Sequence, residues 1–154
     1  ARLVLVGTGD GLDRLRVMVA QRGLCESVVF AGWVDHLDVP AYLAAADAAI
    51  YPYRDSLVHR AKCSIKILEY MAMGKAIVTH RVGQNTEYLE NAKSGILAEP
   101  GSVKEFAAGL YAVLTDRRLA ERLGAEAKRR IEQHFSWQRR IVDIEQAYEA
   151  ARQR

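Results

Sequence analysis

The side chains best suited to chemistry in this sequence fall within residues 61–78. That stretch reads Ala-Lys-Cys-Ser-Ile-Lys-Ile-Leu-Glu-Tyr-Met-Ala-Met-Gly-Lys-Ala-Ile-Val. Lys62 and Lys66 carry positive charges that suit a phosphate, and the carboxylate of Glu69 could accept two hydrogen bonds from a vicinal diol such as a ribose. These residue types predict a site for a nucleoside diphosphate. The alternative is an ordinary solvated helix start, where lysine and glutamate are common.

The same stretch predicts a loop, a short helix and a strand. Ser64 can cap the helix, Gly74 can end it, and residues 76–79 form a short apolar run. The apolar residues at helical spacing are Ile65, Leu68 and Met71. A helix start presents unpaired backbone N–H groups and about half a positive charge, so it can hold a phosphate without a metal ion.

A glycine-rich turn near the N-terminus is a second candidate site. Apolar residues 3–6 precede the turn Gly7-Thr8-Gly9-Asp10-Gly11, and a periodic segment follows it, so a strand, a turn and a helix are expected. Glycines allow positive φ angles and close approach of a ligand to the backbone. The spacing G-x-G-x-G differs from the dinucleotide fingerprint G-x-G-x-x-G, which argues against a nicotinamide-dependent domain. A plain strand-to-helix connection fits the turn equally well.

Strands and helices alternate along the chain. Further strands are expected at residues 27–31, 47–51 and 95–98, with a helix at 38–46 and an irregular polar segment at 53–61. This alternation predicts the α/β class, with a doubly wound parallel sheet built from Rossmann-like βαβ units.

Helices close the chain and are expected to pack on the sheet. Ser102 opens one of them in a capping box with Glu105, and Asp116 caps the next. The first of these helices is expected to turn a set of apolar residues inward, namely Val103, Phe106, Leu110, Val113 and Leu114.

Length and composition exclude several classes of protein. A chain of 154 residues, half of them apolar, suits one globular domain. The net charge of +3 is modest and its basic clusters suit solvated helix faces, so no nucleic-acid partner is expected. The histidines and cysteines lack metal-ligand spacing, so no metal site is expected. No apolar run is long enough to span a membrane, and reduced cysteines fit a cytoplasmic protein.

Ordered motifs extend through nearly the whole chain. They are Leu5-Val6-Gly7-Thr8-Gly9, Val29-Phe30-Ala31-Gly32-Trp33-Val34, residues 42–47, Tyr51-Pro52, residues 68–78, Gly83 with Glu87, residues 94–97 and Phe135-Ser136-Trp137. In order and spacing the sequence resembles the C-terminal, donor-binding domain of a GT-B fold glycosyltransferase, and it is most similar to the retaining family 4, glycosyl transferases group 1.

The resemblance implies a function for the parent protein. It implies that the chain binds a nucleotide sugar, linked to UDP or GDP, as a substrate and without a cofactor. The parent would be a retaining glycosyltransferase that transfers a hexosyl group to a glycan, a lipid or a small-molecule acceptor, as in polysaccharide biosynthesis. It would lie in the cytoplasm, with possible peripheral association at the inner face of the membrane.

The resemblance also implies that residues 1–154 are a single nucleotide-sugar-binding domain cut from a longer two-domain protein. The acceptor site would belong to a missing N-terminal domain of the same chain. The fragment alone is therefore expected to be inactive, and catalytic residues are left unassigned.

Several site residues follow from the resemblance, position by position. Glu69 matches the second glutamate of the family's E-x7-E motif, which binds the donor ribose hydroxyls. Ser64 and Ile65 match positions whose backbone amides meet the diphosphate or the sugar, and Lys62 and Lys66 stand beside them.

Three more site residues lie in the N-terminal part of the chain. Val34 matches a position beside the nucleobase, and Gly7 with Gly9 matches the turn that lines the same cleft.

One position departs from the family pattern. The first glutamate of E-x7-E should lie eight residues before Glu69, where this chain has Ala61. In the family that carboxylate contacts the transferred sugar, so donor-sugar recognition does not carry over. Asp55, Arg60 or the two lysines could reshape the pocket. The loss also leaves open an alternative, a degenerate nucleotide-binding or interaction domain without transferase activity.

Overall fold

The structure is a computed structural model that describes residues 1–152, apart from the side chain of Arg139. Its elements, in chain order, are β1 (Leu3–Val6), α1 (Leu12–Gln21), β2 (Val28–Gly32), α2 (Val39–Ala45), β3 (Ala48–Tyr51), α3 (Leu57–Ala61), α4 (Ile65–Ala72), β4 (Ala76–His80), α5 (Asn85–Tyr88), β5 (Ile96–Ala98), α6 (Val103–Thr115), α7 (Arg117–His134) and α8 (Trp137–Arg152). The named strands pair in parallel. The expected class, α/β with parallel strands, is therefore confirmed.

The chain divides into two compact units, Ala1–Tyr42 and Leu43–Arg154. In the first unit β1 pairs with β2 in parallel, and α1 forms the connection between them, which is the expected βαβ arrangement. Just after β1, Gly7 adopts a φ of 123° and donates its N–H to the carbonyl of Gly32 at 2.7 Å. A side chain at that φ would be strained, so the glycine is needed to leave the strand at this angle.

The second unit is built on a three-stranded parallel sheet in the order β3-β4-β5. All five residues of β4, the central strand, are buried. Successive side chains point to opposite faces of the sheet, and they enter two separate core clusters. Ile77 packs with residues of α4, α5 and α7, while Ala76 and Val78 pack with residues of α6 and α7. Helices thus cover both faces of this sheet, as in a doubly wound layer.

Helix α7 contributes to both clusters. Its Leu123 lies in one cluster and its Ala127 in the other, and both are fully buried. Between them Gly124 meets the end of α4, where a Cβ built on Gly124 would lie 2.0 Å from the carbonyl oxygen of Gly74. The two backbones are therefore in direct contact, because no side chain separates them.

The caps of α6 and α7 lie where the sequence predicts them. The side chain of Ser102 accepts from the N–H of Glu105 at 3.2 Å, and Asp116 accepts from the N–H of Leu119 at 3.0 Å. Phe106, Leu110 and Val113 of α6 belong to a core cluster. The expectation is wrong for Val103 and Leu114, which are 80% and 41% exposed because they lie at the two ends of the helix.

The expectation of an irregular segment at residues 53–61 is also wrong in part. They contain α3, which begins after Ser56, whose side chain accepts from the N–H of His59. The helix is only one turn long and its apolar residues are exposed, so no hydrophobic period marks it in the sequence.

Helix α8 differs from α6 and α7. Its large apolar side chains, among them Trp137, Ile144 and Tyr148, are about half exposed or more and belong to neither core cluster. Packing of the C-terminal helices on the sheet is thus seen for α6 and α7.

The glycine contact between α4 and α7 predicts a strong effect of a small substitution. We expect Gly124→Ala to lower the free energy of unfolding by about 2 kcal/mol or more, because the added methyl group would displace backbone rather than a flexible side chain. Urea denaturation followed by circular dichroism measures this. Arg118→Ala, an exposed position of the same helix, is the control and should stay within about 0.5 kcal/mol of the wild type. Equal midpoints for the two variants would contradict the contact.

Candidate functional site

Helix α4 is held in place by two side chains on its inner face. Ile67 and Met71 are fully buried and pack against Ile77 of β4. The helix ends in a Schellman arrangement, in which Gly74 at φ 63° donates to the carbonyl of Met71 and Lys75 donates to that of Tyr70. The inner face of α4 is therefore fixed by packing, and its C-terminal end by hydrogen bonds.

The inner face of α4 differs from the expected one at its first residue. Ile65 is 65% exposed, and Ile67 occupies the buried position. Ile67 and Met71 are four residues apart and share one helix face, whereas Ile65 lies on the opposite side near the helix start. An isoleucine side chain is thus displayed at the proposed ligand position.

Ser64 precedes the helix as expected, but its side chain does not cap it. The Oγ atom makes no cap hydrogen bond, although the residue is only 2% exposed. In the described part of the chain neither this hydroxyl nor the buried phenol of Tyr53 has a hydrogen-bond partner. The backbone N–H groups of Ile65 and Lys66 likewise donate to no acceptor among residues 1–152. The start of α4 thus keeps its donors available.

Two lysines flank this helix start and meet at Tyr51, the last residue of β3. Lys62 Nζ lies 3.4 Å from the phenol oxygen, and Lys66 Nζ lies 5.6 Å from the ring centroid. Burial opposes ionisation of the phenol, but the two ammonium groups outweigh burial and lower the pKa of Tyr51 below its ordinary value. Among the residues that the structure describes, neither lysine forms a salt bridge, so both charges are available to a ligand.

Glu69 lies on α4 with its side chain half-buried and outside both core clusters. Its carboxylate takes part in no hydrogen bond or ion pair within the described residues. A half-buried carboxylate without a protein partner is free to accept from a diol.

The position of the missing glutamate, Ala61, is the last residue of α3 and is exposed. The neighbouring Arg60 is occupied by Asp55, whose carboxylate oxygens lie 2.5 and 2.8 Å from its guanidinium nitrogens. The backbone of Arg60 closely approaches Gly83, where a Cβ would lie 2.7 Å from the Arg60 carbonyl. Helix α3 therefore abuts the turn after β4.

Site residues predicted in the first unit lie at its glycine turn and after β2. Gly7 and Gly9 line an open cavity of about 330 Å³ together with residues of β1 and α1. Val34 is half-buried in the loop that follows β2. The other five predicted residues, Lys62, Ser64, Ile65, Lys66 and Glu69, all lie in the second unit around the start of α4.

Three residues near the site were not singled out from the sequence: Tyr51, Tyr53 and His80. Tyr51 and His80 end strands β3 and β4, and Tyr53 follows β3. The carboxyl ends of parallel strands are where open α/β sheets bind ligands, so their position was the available signal.

Comparison with known proteins places the chain in a family. The sequence profile described as "Glycosyl transferases group 1" matches residues 1–130, which is most of the chain. The chain belongs to this family. The resemblance read from the motifs is therefore confirmed.

Two relatives come from Mycobacterium tuberculosis. A glycogen synthase is 30% identical over 150 residues, which cover 97% of this chain and 35% of the relative. A GDP-mannose-dependent alpha-(1-6)-phosphatidylinositol monomannoside mannosyltransferase is 28% identical over 157 residues, which cover 99% of this chain and 41% of the relative. The chain thus spans well under half of the length of these family members.

Solved structures agree on the fold. Sucrose-phosphate synthase from Thermosynechococcus elongatus matches with a TM-score of 0.85 and 24% identity, over 97% of this chain and 38% of that protein. Anabaena Alr3699/HepE, solved in complex with UDP-glucose, matches with a TM-score of 0.73 and 24% identity, over 97% of this chain and 40% of that protein. The fold is the GT-B glycosyltransferase fold in its Rossmann-like part.

The described residues lack two further features, a membrane-spanning helix and a metal-binding cluster. Among the helices of residues 1–152, none combines the length and the hydrophobicity needed to cross a bilayer. Over the same residues, no group of three or more His, Cys, Asp or Glu side chains is arranged to bind a metal ion.

The lysine pair predicts a measurable property of Tyr51. We expect its pKa to lie below the ordinary 10.0, while burial raises the pKa of Tyr53 and of Tyr70 above that value. Lys62→Met should raise the pKa of Tyr51 because it removes a hydrogen bond and a positive charge.

A pH titration of the 13C-labelled tyrosine Cζ signals by NMR measures these values. Lys104→Met, which removes an exposed lysine of α6, is the control and should leave the Tyr51 titration unchanged. A Tyr51 pKa above that of Tyr70 would show that the lysines do not act on the phenol.

Proposed function

We propose that this chain is the donor-binding half of a retaining glycosyltransferase and binds a UDP- or GDP-linked sugar. The observation that carries the proposal is the start of α4. Among the described residues it combines unpaired backbone donors, two lysines without acidic partners, one on the helix and one in the loop before it, and a half-buried glutamate without a partner. The diphosphate lies at the helix start between Lys62 and Lys66. The ribose hydroxyls donate to Glu69, further along the helix.

The same groups would act in catalysis. When the bond between the sugar and the diphosphate breaks, negative charge grows on the diphosphate leaving group. The amides of Ser64 and Ile65, together with the two ammonium groups, would stabilise that charge. The chain's own contribution to the reaction is then binding and stabilising the leaving group, and it needs no metal ion for that.

In the first unit, Val34 and the Gly7 to Gly9 turn are proposed nucleotide contacts, with Val34 beside the base, as the resemblance to the family implies. The relatives support both donors that we consider, because one neighbour was solved with UDP-glucose and one relative is described as GDP-mannose-dependent.

The acceptor substrate and the cellular location are proposed for the whole protein. An N-terminal domain would present a glycan, lipid or small-molecule acceptor, and residues 1–154 alone would be inactive. The parent would act in the cytoplasm, with peripheral association at the inner face of the membrane. The relatives named above are synthases or transferases, which gives the inactive-domain alternative no support.

Ribose recognition by Glu69 can be tested by binding. We expect Glu69→Ala to weaken binding of the preferred nucleotide by at least several-fold, since loss of hydrogen bonds to a carboxylate costs about 1–3 kcal/mol. Isothermal titration calorimetry with UDP-glucose and GDP-mannose measures this loss of affinity and also identifies the preferred base.

The matched control is Glu132→Ala, which removes an exposed glutamate of α7 and should leave the affinity unchanged. Absence of nucleotide binding to the wild-type chain would overturn the proposed function. Equal affinities of the wild type and Glu69→Ala would overturn the role of Glu69 alone.

The lysines should discriminate between a nucleotide and its nucleoside. In a Lys62→Met, Lys66→Met double variant we expect the preference for the diphosphate over the nucleoside to fall by about tenfold or more, because two charge-assisted contacts are lost. Glu69→Ala should instead weaken both ligands by a similar factor. Calorimetry with UDP and uridine, or with GDP and guanosine, separates the two patterns. An unchanged preference in the double variant would place the diphosphate elsewhere.

A further inference from the structure

We propose that His80, as a neutral imidazole, is a positioning residue for the donor site. It holds the backbone of Tyr53, and Tyr53 in turn supports Tyr51, on which both site lysines rest. The inference rests on the proposed function, because the site that it organises is the diphosphate site at the start of α4.

His80 forms a tether between two strand ends. It is the last residue of β4 and is 7% exposed, and its Nδ1 accepts the backbone N–H of Tyr53 at 3.0 Å. The imidazole stacks on Phe106 of α6, with ring centroids 4.9 Å apart and planes 22° apart. Packing therefore fixes the ring orientation that aims Nδ1 at the loop after β3.

The tether requires one protonation state. A ring nitrogen that accepts a hydrogen bond carries no proton, so the imidazole is neutral with its proton on Nε2. Protonation would turn Nδ1 into a donor facing the N–H of Tyr53. Two donors would then meet in a buried place, and the loop would have to move.

A chain of contacts links the tether to the site. The Tyr53 ring meets the Tyr51 ring edge-on, with centroids 4.9 Å apart. Tyr51 contacts Lys62 through its oxygen at 3.4 Å and Lys66 through its ring at 5.6 Å. Displacement of Tyr53 would therefore act through Tyr51 on both lysines that we assign to the diphosphate.

The direction of the pH effect follows from burial. Burial lowers the pKa of His80 below the ordinary value of 6.5, so the neutral form prevails at pH 7. A folded-state pKa below the unfolded one means that the contribution of the tether is complete above pH 6.5 and is lost as the pH falls through the folded-state pKa. Donor affinity should decline in the same acidic window.

Other ionisable groups surround this region. His59 of α3 packs edge-on against the Tyr53 ring, with centroids 5.1 Å apart. Arg81, next to His80, pairs with Glu99 at 3.0 Å, and Glu105 of α6 accepts from the Glu99 backbone at 2.9 Å. Because His59 is the second histidine in contact with Tyr53, it needs its own variant.

The test measures affinity for UDP-glucose and GDP-mannose by calorimetry from pH 5 to pH 7.5. Sugar-linked diphosphates are used because free UDP and GDP have a terminal phosphate that itself titrates near pH 6. Two variants separate the roles of the ring. His80→Phe keeps the stack on Phe106 and removes the acceptor. His80→Asn offers a side-chain oxygen as an acceptor that does not titrate.

We expect three results. Wild-type affinity falls as the pH is lowered through the folded-state pKa of His80, by up to about tenfold, as a buried hydrogen bond is lost. His80→Asn binds as the wild type does at pH 7.5 and keeps that affinity at pH 5. His80→Phe binds about tenfold more weakly at all of these pH values. His59→Asn and the exposed-site control His134→Asn should keep the wild-type pH profile.

The experiment distinguishes an error in the role of His80 from an error in the proposed function. If the wild type binds neither sugar nucleotide, the donor site itself is wrong. If it binds but His80→Asn keeps the acid-side loss, or if His59→Asn abolishes that loss, the positioning role of His80 is overturned. Should His80→Phe fail to fold by circular dichroism, the comparison of wild type with His80→Asn still decides. NMR of the His80 ring nitrogens gives a ligand-free check, because the tether requires an unprotonated Nδ1 at pH 7.

Discussion

Burial of one face of α4 against the central strand is the constraint on which the site depends. Ile67 and Met71 are inaccessible to solvent and pack on Ile77, a residue of a strand that is buried throughout. Burying two large apolar side chains contributes about 3–6 kcal/mol, which exceeds what any single polar contact at the site could supply. The helix therefore begins where its apolar contacts require, and within the described residues its first backbone donors are left without a side-chain cap.

The opposite side of α4 carries the residues that do not pack in the core. Once Ile67 and Met71 define the inner face, the lysine and the glutamate at positions 66 and 69 remain near the surface, and Lys62 joins them from the preceding loop. The rigid contact between Gly74 and Gly124 holds the far end of the helix against α7. A short helix held by its packed inner face and by this contact suits the proposed diphosphate site, where the ligand must adopt one orientation.

Much of this could be predicted from the sequence, because it follows from local patterns. Gly74 ends α4 as its position predicts, since only a residue tolerant of positive φ suits that turn. The caps at Ser102 and Asp116 follow from residue type and spacing in the same way.

The expectations from the sequence that did not hold have a common physical origin in tertiary contacts. The apolar residues at helical spacing included Ile65, but the contact with β4 buries Ile67. Ser64 has the right type for a cap, yet its hydroxyl is buried without a partner. The tether between His80 and Tyr53 joins residues 27 apart, so no local pattern could reveal it.

The two ammonium groups at Tyr51 also have a consequence for the protein without its proposed ligand. With the positive end of α4 close by, like charges repel one another until an anion arrives. Added salt would screen that repulsion and so favour the unliganded protein, while the same screening weakens attraction of the diphosphate. Ionic strength should therefore act on the free and the bound molecule in opposite senses.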